Sequence, residues 1–418
     1  MRHVAVFGTD PSLSSPFMQD LLNGNTPAYF PEIQQKKGML FSNITLAWFM
    51  EEERKHDRFD LTEQHQRSIR SLSSGEQKKA LLNYLLARNP DFLVLDNPFD
   101  ALDTASRYAL QEELRHLSRQ LMIIQIVKRR TDLLPFISHA LYCEDDRVLF
   151  SGTIGEYLER YDRRPRFKLN GKLPAPSSPH YSDISESLIK FENVSVSYED
   201  RPILKDINWE VRKGEFWELV GPNGAGKTTM LTMITGDNPK AFGQELFLFG
   251  RKKGTGESVW QIKEKIGYLT PSMLDLFHRR TTVEQMIISG MVDSIGLYRQ
   301  ATGLQTKLAG KWIRLLDLEN ERHASFTSLS QVHQRMVLVA RAMVKHPPVL
   351  ILDEPANGLD DNAAAMLTGL INKMAEESET AIIYVSHRQE PGLKSHRVFE
   401  LIPSQNGSTG KEKTIVTG

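Results

Sequence analysis

Apolar residues fall into short runs closed by glycine, proline or an acidic residue. HVAVFG (3–8), FLVLD (92–96), LMIIQIV (121–127), FWELV (216–220), VLILD (349–353) and AIIYVS (381–386) have the length and branched-chain content of buried strands. Leu81, Leu82, Leu85 and Leu86 recur at the spacing of one helix face behind LSSGEQ (72–77). Segment 30–36 reads as a strand edge and 43–51 as a short helix. From 164 to 187 the apolar period stops. PAPSSPHYSD there has turn and extended character, which predicts a linker between two domains. After it, LIKFENVSVSYED and PILKDINWEVRKGEFWELVG read as a β-meander.

The meander leads into GPNGAGKTT: Gly221, Pro222, Asn223, Gly224, Ala225, Gly226, Lys227, Thr228 and Thr229. A strand precedes it and a helical MLTMITG follows, the setting a phosphate-binding loop requires. Glycines let the backbone curl with its amides inward, and the helix N-terminus adds positive potential. Lys227 supplies a point charge for the β- and γ-phosphates, and Thr228 a hydroxyl ligand for Mg²⁺. Downstream, Asp353 ends a strand, where it can hold the metal, and Glu354 can polarise a water. His387 follows the next strand, within reach of a γ-phosphate. Singly these are ordinary residues; their order and strand-end positions give them the chemistry. Tyr198, in the meander, is placed to stack on adenine.

The chain repeats itself. Leu72–Asp96 and Leu329–Asp353 are intervals of one length, and Asp103 and Asp360 keep the same offset. The copies have decayed in opposite places. With Gly8 laid on Gly221, Pro11, Leu13 and Ser14 fall on Gly224, Gly226 and Lys227. Proline has no amide hydrogen to offer a phosphate, and the lysine charge is missing. Asn97 replaces the glutamate and cannot act as a base. Lys128, Arg129 and Arg130 follow LMIIQIV and read as a solvated strand end; no histidine is among them. Gln34 and Gln35 are candidates for a phosphate-sensing glutamine. Ser73 and Gly75 head a helix as an anion-binding device, whereas the second copy, LSQVHQ (329–334), puts β-branched Val332 where Gly75 stands.

Together these motifs resemble those of a tandem ABC-type ATPase. GPNGAGKTT is similar to Walker A, LSSGE to the signature, VLILDEP to Walker B, GLD to the D-loop, and His387 to the switch histidine. RPILKDINWEV, SGMVDSIGLYRQ and VKHPPVLILDEP resemble the molybdenum (molybdate) transport ATP-binding family of soluble double-domain ATPases. The resemblance implies an α/β fold of two P-loop, ABC-type domains. Residues 1–163 form a shortened, degenerate domain with an intact signature, 164–187 a linker, and 188–418 an intact domain. It implies ATP and Mg²⁺ as ligands and a sandwich within one chain. Lys227, Thr228, Asp353, Glu354 and His387 would then meet Ser73 and Gly75, giving one hydrolytic site. The coupling glutamine of the family falls near Pro271 and Ser272, where this chain has none. The function implied is ATP hydrolysis, as the ATP-binding part of a permease for molybdate or a related oxyanion. The alternatives are an ABC ATPase of repair, translation or regulation, and a slow nucleotide switch. Glu354 and His387 argue against the switch.

Composition adds exclusions. The 418 residues carry 52 Lys+Arg and 52 Asp+Glu, so no net basic charge points to nucleic acid. The single cysteine, Cys143, excludes an internal disulfide and reads as a buried apolar residue. No apolar run approaches a membrane span, and with HVAVFG at the start no leader is expected. The expectation is a cytoplasmic protein, peripheral at the inner membrane face if it has a permease partner.

Overall fold

The computed structural model describes the chain except residues 9–15, 27, 63–67, 101, 145–146, 162–168, 170, 177–180, 182–183, 278–280, 294–299, 388–389 and 415–418. Pro11, Leu13 and Ser14 lie outside the described residues. The chain divides into two compact units, Met1–Pro165 and Arg166–Gly418.

In the first unit the strands are β1 (Val4–Phe7), β2 (Gly38–Phe41), β3 (Phe92–Asp96), β4 (Met122–Val127), β5 (His139–Glu144) and β6 (Arg147–Thr153). Its helices are α1 (Pro16–Leu22), α2 (Asn43–His56), α3 (Ser74–Leu86), α4 (Thr104–Leu117) and α5 (Ile154–Tyr161). The sheet order is β2-β3-β4-β1-β5-β6, parallel except for the β5–β6 hairpin. β3 and β4 are buried on both faces, which is why they read as continuous apolar runs. Cys143 is buried, as expected of it.

The second unit begins with β7 (Ser187–Tyr198), β8 (Arg201–Arg212) and β9 (Phe216–Val220), then α6 (Lys227–Ile234), β10 (Leu246–Leu248), β11 (Arg251–Lys252) and α7 (Val259–Glu264). β12 (Ile266–Leu269), α8 (Met273–Leu276), α9 (Val283–Ser289), α10 (Gly303–Leu315) and α11 (Gln331–Met343) follow. β13 (Val349–Asp353), α12 (Asp361–Glu377), β14 (Ala381–Ser386), β15 (Arg397–Ile402) and β16 (Thr409–Thr414) complete it. The main sheet runs β12-β13-β14-β9-β15-β16, and a second sheet runs β11-β10-β7-β8. The meander reading needs correcting at β9, which leaves the hairpin and enters the main sheet. Alternation along it splits two cores. Phe216 packs with Trp312 and the helices, and Trp217 and Leu219 pack with the hairpin.

Four further expectations change. Segment 30–36 is no strand edge: Pro31–Ile33 forms a 3-10 turn, and the edge strand is β2. Gln34 and Gln35 precede β2 and so lie at the opposite end of the sheet from the carboxyl ends, away from any phosphate. The basic triplet is not a solvated end. Arg129 is 3% exposed, and the Arg130 guanidinium donates to the Tyr161 carbonyl. Finally, part of the interval expected as a linker is fastened to the second unit. The Leu173 amide donates to Glu377 (2.6 Å), the Pro174 carbonyl meets His346 Nε2 (2.6 Å), and the Tyr181 hydroxyl donates to the Glu264 carbonyl (2.9 Å). Among the described residues no helix is long and apolar enough to cross a membrane.

Candidate active site

The carboxyl ends of β9, β13 and β14 converge on one cavity of about 450 Å³. The loop after β9 forms one wall. Gly224 and Gly226 have φ of 76° and 97°, which a side chain resists. A Cβ on Gly226 would also meet Leu204 at 2.6 Å. Asn223, Gly224, Ala225, Gly226, Lys227, Thr228 and Thr229 line the cavity; the carbonyls of Gly221 and Pro222 serve it indirectly. Lys227 opens α6, and its buried ammonium donates to those carbonyls at 2.6 and 3.0 Å. It also stands 3.3 Å from His387 Nδ1.

The other ring nitrogen of His387, Nε2, contacts Glu354 Oε1. The second glutamate oxygen accepts from Asn357 Nδ2 at 3.3 Å. Lys227, His387 and Glu354 thus form one chain of polar contacts, from the phosphate loop to the end of β13. Glu354 is held in the left-handed region, φ 47°, with its amide donating to the Val385 carbonyl at 2.9 Å. A non-glycine residue there is strained, a cost borne where a side chain must be aimed. Asp353 lies beside it. Burial and the Glu354 charge push its carboxyl up to about 6, with Lys227 and His387 opposing. A dication would relieve that burden, so Asp353 with the Thr228 hydroxyl fits Mg²⁺.

Not every expected residue joins this wall. Tyr198 is not in the lining. It stands beside it, 42% exposed, its hydroxyl accepting from Asn238 Nδ2 at 2.8 Å. Ser73 and Gly75 belong to the first unit. Ser73 caps α3, with its amide and hydroxyl on the Glu76 carboxylate at 2.7 and 2.6 Å, and Gly75 packs on Ser106. Pro271 lines the cavity where the coupling glutamine was sought. Arg201, Ile203 and Asn357 escaped sequence reasoning. The two-residue turn Glu199–Asp200 after Tyr198 was the available signal for Arg201, which pairs with Tyr198.

Strand register extends the comparison to the first unit. Asp96 pairs with Ile126 as Asp353 pairs with Val385, and Phe7 pairs with Val127 as Val220 pairs with Ser386. Gly8 therefore matches Gly221, and Lys128, not a histidine, matches His387. Asn97 shares the left-handed backbone of Glu354, with φ 43°.

A family model described as ABC transporter matches residues 204–357. The ABC transporter ATP-binding protein ModF of Escherichia coli K12 is 40% identical over 356 residues, covering 82% of this chain and 72% of that protein. An uncharacterized ABC transporter ATP-binding protein of Schizosaccharomyces pombe is 30% identical over 329 residues, 77% of this chain and 66% of its own. The archaeal ribosome recycling factor aABCE1, solved with ribosomal stalk protein aP1, matches with a TM-score of 0.61 at 17% identity. That match covers 98% of this chain and 85% of that one, and it bears on the fold alone. With two ABC-type folds in tandem and a site built from the loop after β9 and the ends of β13 and β14, this chain belongs to the ABC transporter ATP-binding proteins and is an ATPase of that family.

Proposed function

We propose that hydrolysis takes place in the second unit and that the first unit supplies its signature segment. In this reading 1–163 is a degenerate ABC domain, 164–187 the connection, and 188–418 the hydrolytic domain. The continuous contact of Lys227, His387 and Glu354 supports it most directly. Lys227 and the amides from Gly221 to Thr229 bind the phosphates, and Tyr198 takes the base. Thr228 and Asp353 would hold Mg²⁺, which would supply charge for the β- and γ-phosphates. Glu354 takes a proton from the water that attacks the γ-phosphorus. The bond to the β–γ bridging oxygen breaks and ADP leaves. His387 holds the glutamate and faces the γ-phosphate. Ser73 and Gly75 complete the site from the first unit, whose own version, with Asn97 and Lys128, has no base.

By its resemblance the protein is the cytoplasmic, membrane-peripheral ATP-binding component of a permease for molybdate or a related oxyanion. One observation favours a second reading, an ABC ATPase without a permease: Pro271 lines the cavity where the coupling glutamine belongs. Uptake of radiolabelled molybdate separates the two. Cells lacking the gene should take up less, and wild type but not Glu354→Gln should restore it. Uptake that ignores the gene while the purified chain hydrolyses ATP would leave the second reading.

A further inference from the structure

The turn that follows Glu354 has a near copy in the first unit. The Asn357 N–H donates to the Glu354 carbonyl at 3.1 Å, and the Asp100 N–H donates to the Asn97 carbonyl at the same distance. All four residues are half-buried. Their side chains, however, are exchanged. The second unit places a carboxylate first and an amide three residues on, Glu354 and Asn357; the first unit places the amide first, Asn97, and the carboxylate at Asp100. The turn therefore forms with either side chain at its last position. What the exchange alters is the company the carboxylate keeps. Asp100 Oδ2 accepts from Asn43 Nδ2 at 2.9 Å, at the head of α2. Glu354 is held from two sides, by His387 Nε2 on Oε1 and by Asn357 Nδ2 on Oε2 at 3.3 Å. The Lys227 ammonium can only donate, so His387 Nδ1 accepts from it and Nε2 carries the hydrogen that faces the glutamate. Glu354 and His387 line the cavity, whereas Asn357 is not among the lining residues and reaches the site through the glutamate.

We infer that Asn357 is a positioning residue for hydrolysis: its side-chain amide, opposite His387, fixes the plane of the Glu354 carboxylate. This rests on the role proposed for Glu354. The terminal torsion of a glutamate is broad, so one donor leaves the carboxylate free to turn about that contact. A second donor on the other oxygen removes the freedom and leaves the remaining lone pairs aimed into the cavity. A base works only within hydrogen-bond reach of the proton it takes, and a small misplacement is costly there.

The test is ATP hydrolysis by the full chain across a range of Mg²⁺–ATP concentrations. Asn357→Asp keeps the size of the side chain and removes its donor, and Asp100 shows that this turn accepts a carboxylate. Asn357→Asp and Asn357→Ala should each lower kcat about ten-fold to a hundred-fold, the usual cost of losing a residue that orients a reacting group, with KM within about two-fold. The decisive comparison is single-turnover hydrolysis in the Glu354→Gln background. There Asn357→Ala should change the residual rate less than about two-fold, because residues that act as a unit are not additive. An Asn357→Asp protein with the wild-type rate overturns the inference. So does a loss carried by KM, which a packing or nucleotide-binding role would give. An undiminished further loss in the Glu354→Gln background also overturns it, since Asn357 would then act without the glutamate. Wild-type hydrolysis by Glu354→Gln itself would instead overturn the base on which the inference stands.

Discussion

At the residue scale, the same backbone strain carries two different side chains. Asn97 and Glu354 both sit in the left-handed region at the end of equivalent strands. Asparagine tolerates that conformation; glutamate does so only where surrounding contacts hold it, here His387 and Asn357. Glu354→Gln keeps the shape and removes the base proposed above. Steady-state ATPase activity should fall a hundred-fold or more, the usual worth of a general base. A buried residue that sequence reasoning passed over makes a second prediction. Glu218, in the middle of β9, is 5% exposed and accepts from the Ser395 hydroxyl. Burial pushes its carboxyl above the ordinary 4.5, the Ser395 bond opposes this, and Glu390 adds to it. The folded state therefore prefers the protonated form. Its stabilising contribution is present below 4.5 and is lost as pH rises through the raised value. Glu218→Gln should raise the melting temperature at pH 7, with the gain fading toward pH 4.5. Thermal melts at the two pH values check it; a gain of equal size at both would contradict the assignment.

At the scale of the element, α3 and α11 are the same device with different heads. Each is capped by a serine, Ser73 or Ser330. Each has a glutamine, Gln77 or Gln334, whose amide returns to the carbonyl of Leu72 or Leu329 at 3.1 Å. The difference is Gly75 against Val332, which is half-buried on the helical core of its unit. If the first-unit head serves the nucleotide, Gly75→Asp sets a carboxylate against the γ-phosphate and should abolish ATPase activity. Packing must be separated from charge, because a Cβ on Gly75 would already stand 2.7 Å from Ser106 Oγ. That hydroxyl can turn aside, so Gly75→Ala should keep most of the activity. Equal rates for the two variants would contradict a charge effect at this position. The strand runs were legible because both faces of β3, β4, β13 and β14 are covered, which removes polar alternation. Segment 30–36 was misread because Pro31 starts a 3-10 turn and the paired strand begins only at Gly38.

At the scale of the molecule, the two main sheets have one strand order, and the second unit adds the sheet β11-β10-β7-β8. The proposed function uses one phosphate loop and one signature, contributed by different units. In a symmetric pair of second units Val332 would crowd the γ-phosphate, whereas a partner on the same chain is present at high effective concentration. The Glu354→Gln protein with Mg²⁺–ATP should therefore scatter light as a single chain across a wide concentration range and retain about one ATP per chain. A mass that doubles on adding ATP would argue for exchange between chains, and two ATP per chain for a binding site in the first unit.

The sequence by itself determined the tandem α/β fold, the phosphate loop, and the order of Asp353, Glu354 and His387. Each depends on local rules: backbone freedom at glycine, continuous apolar strands, and function at strand ends. It also showed where the two copies differ, because an offset shared by Leu72–Asp96 and Leu329–Asp353 needs no coordinates. Tertiary structure alone decided what meets what. Lys128 answers to His387 only through the register of β3 with β4 and of β13 with β14. Arg201 and Ile203 reach the cavity because the β7–β8 hairpin packs over Gly226. Arg129 is buried although its neighbours in sequence are basic. Such contacts join residues far apart in the chain, and their energies depend on burial and orientation, which no local pattern encodes.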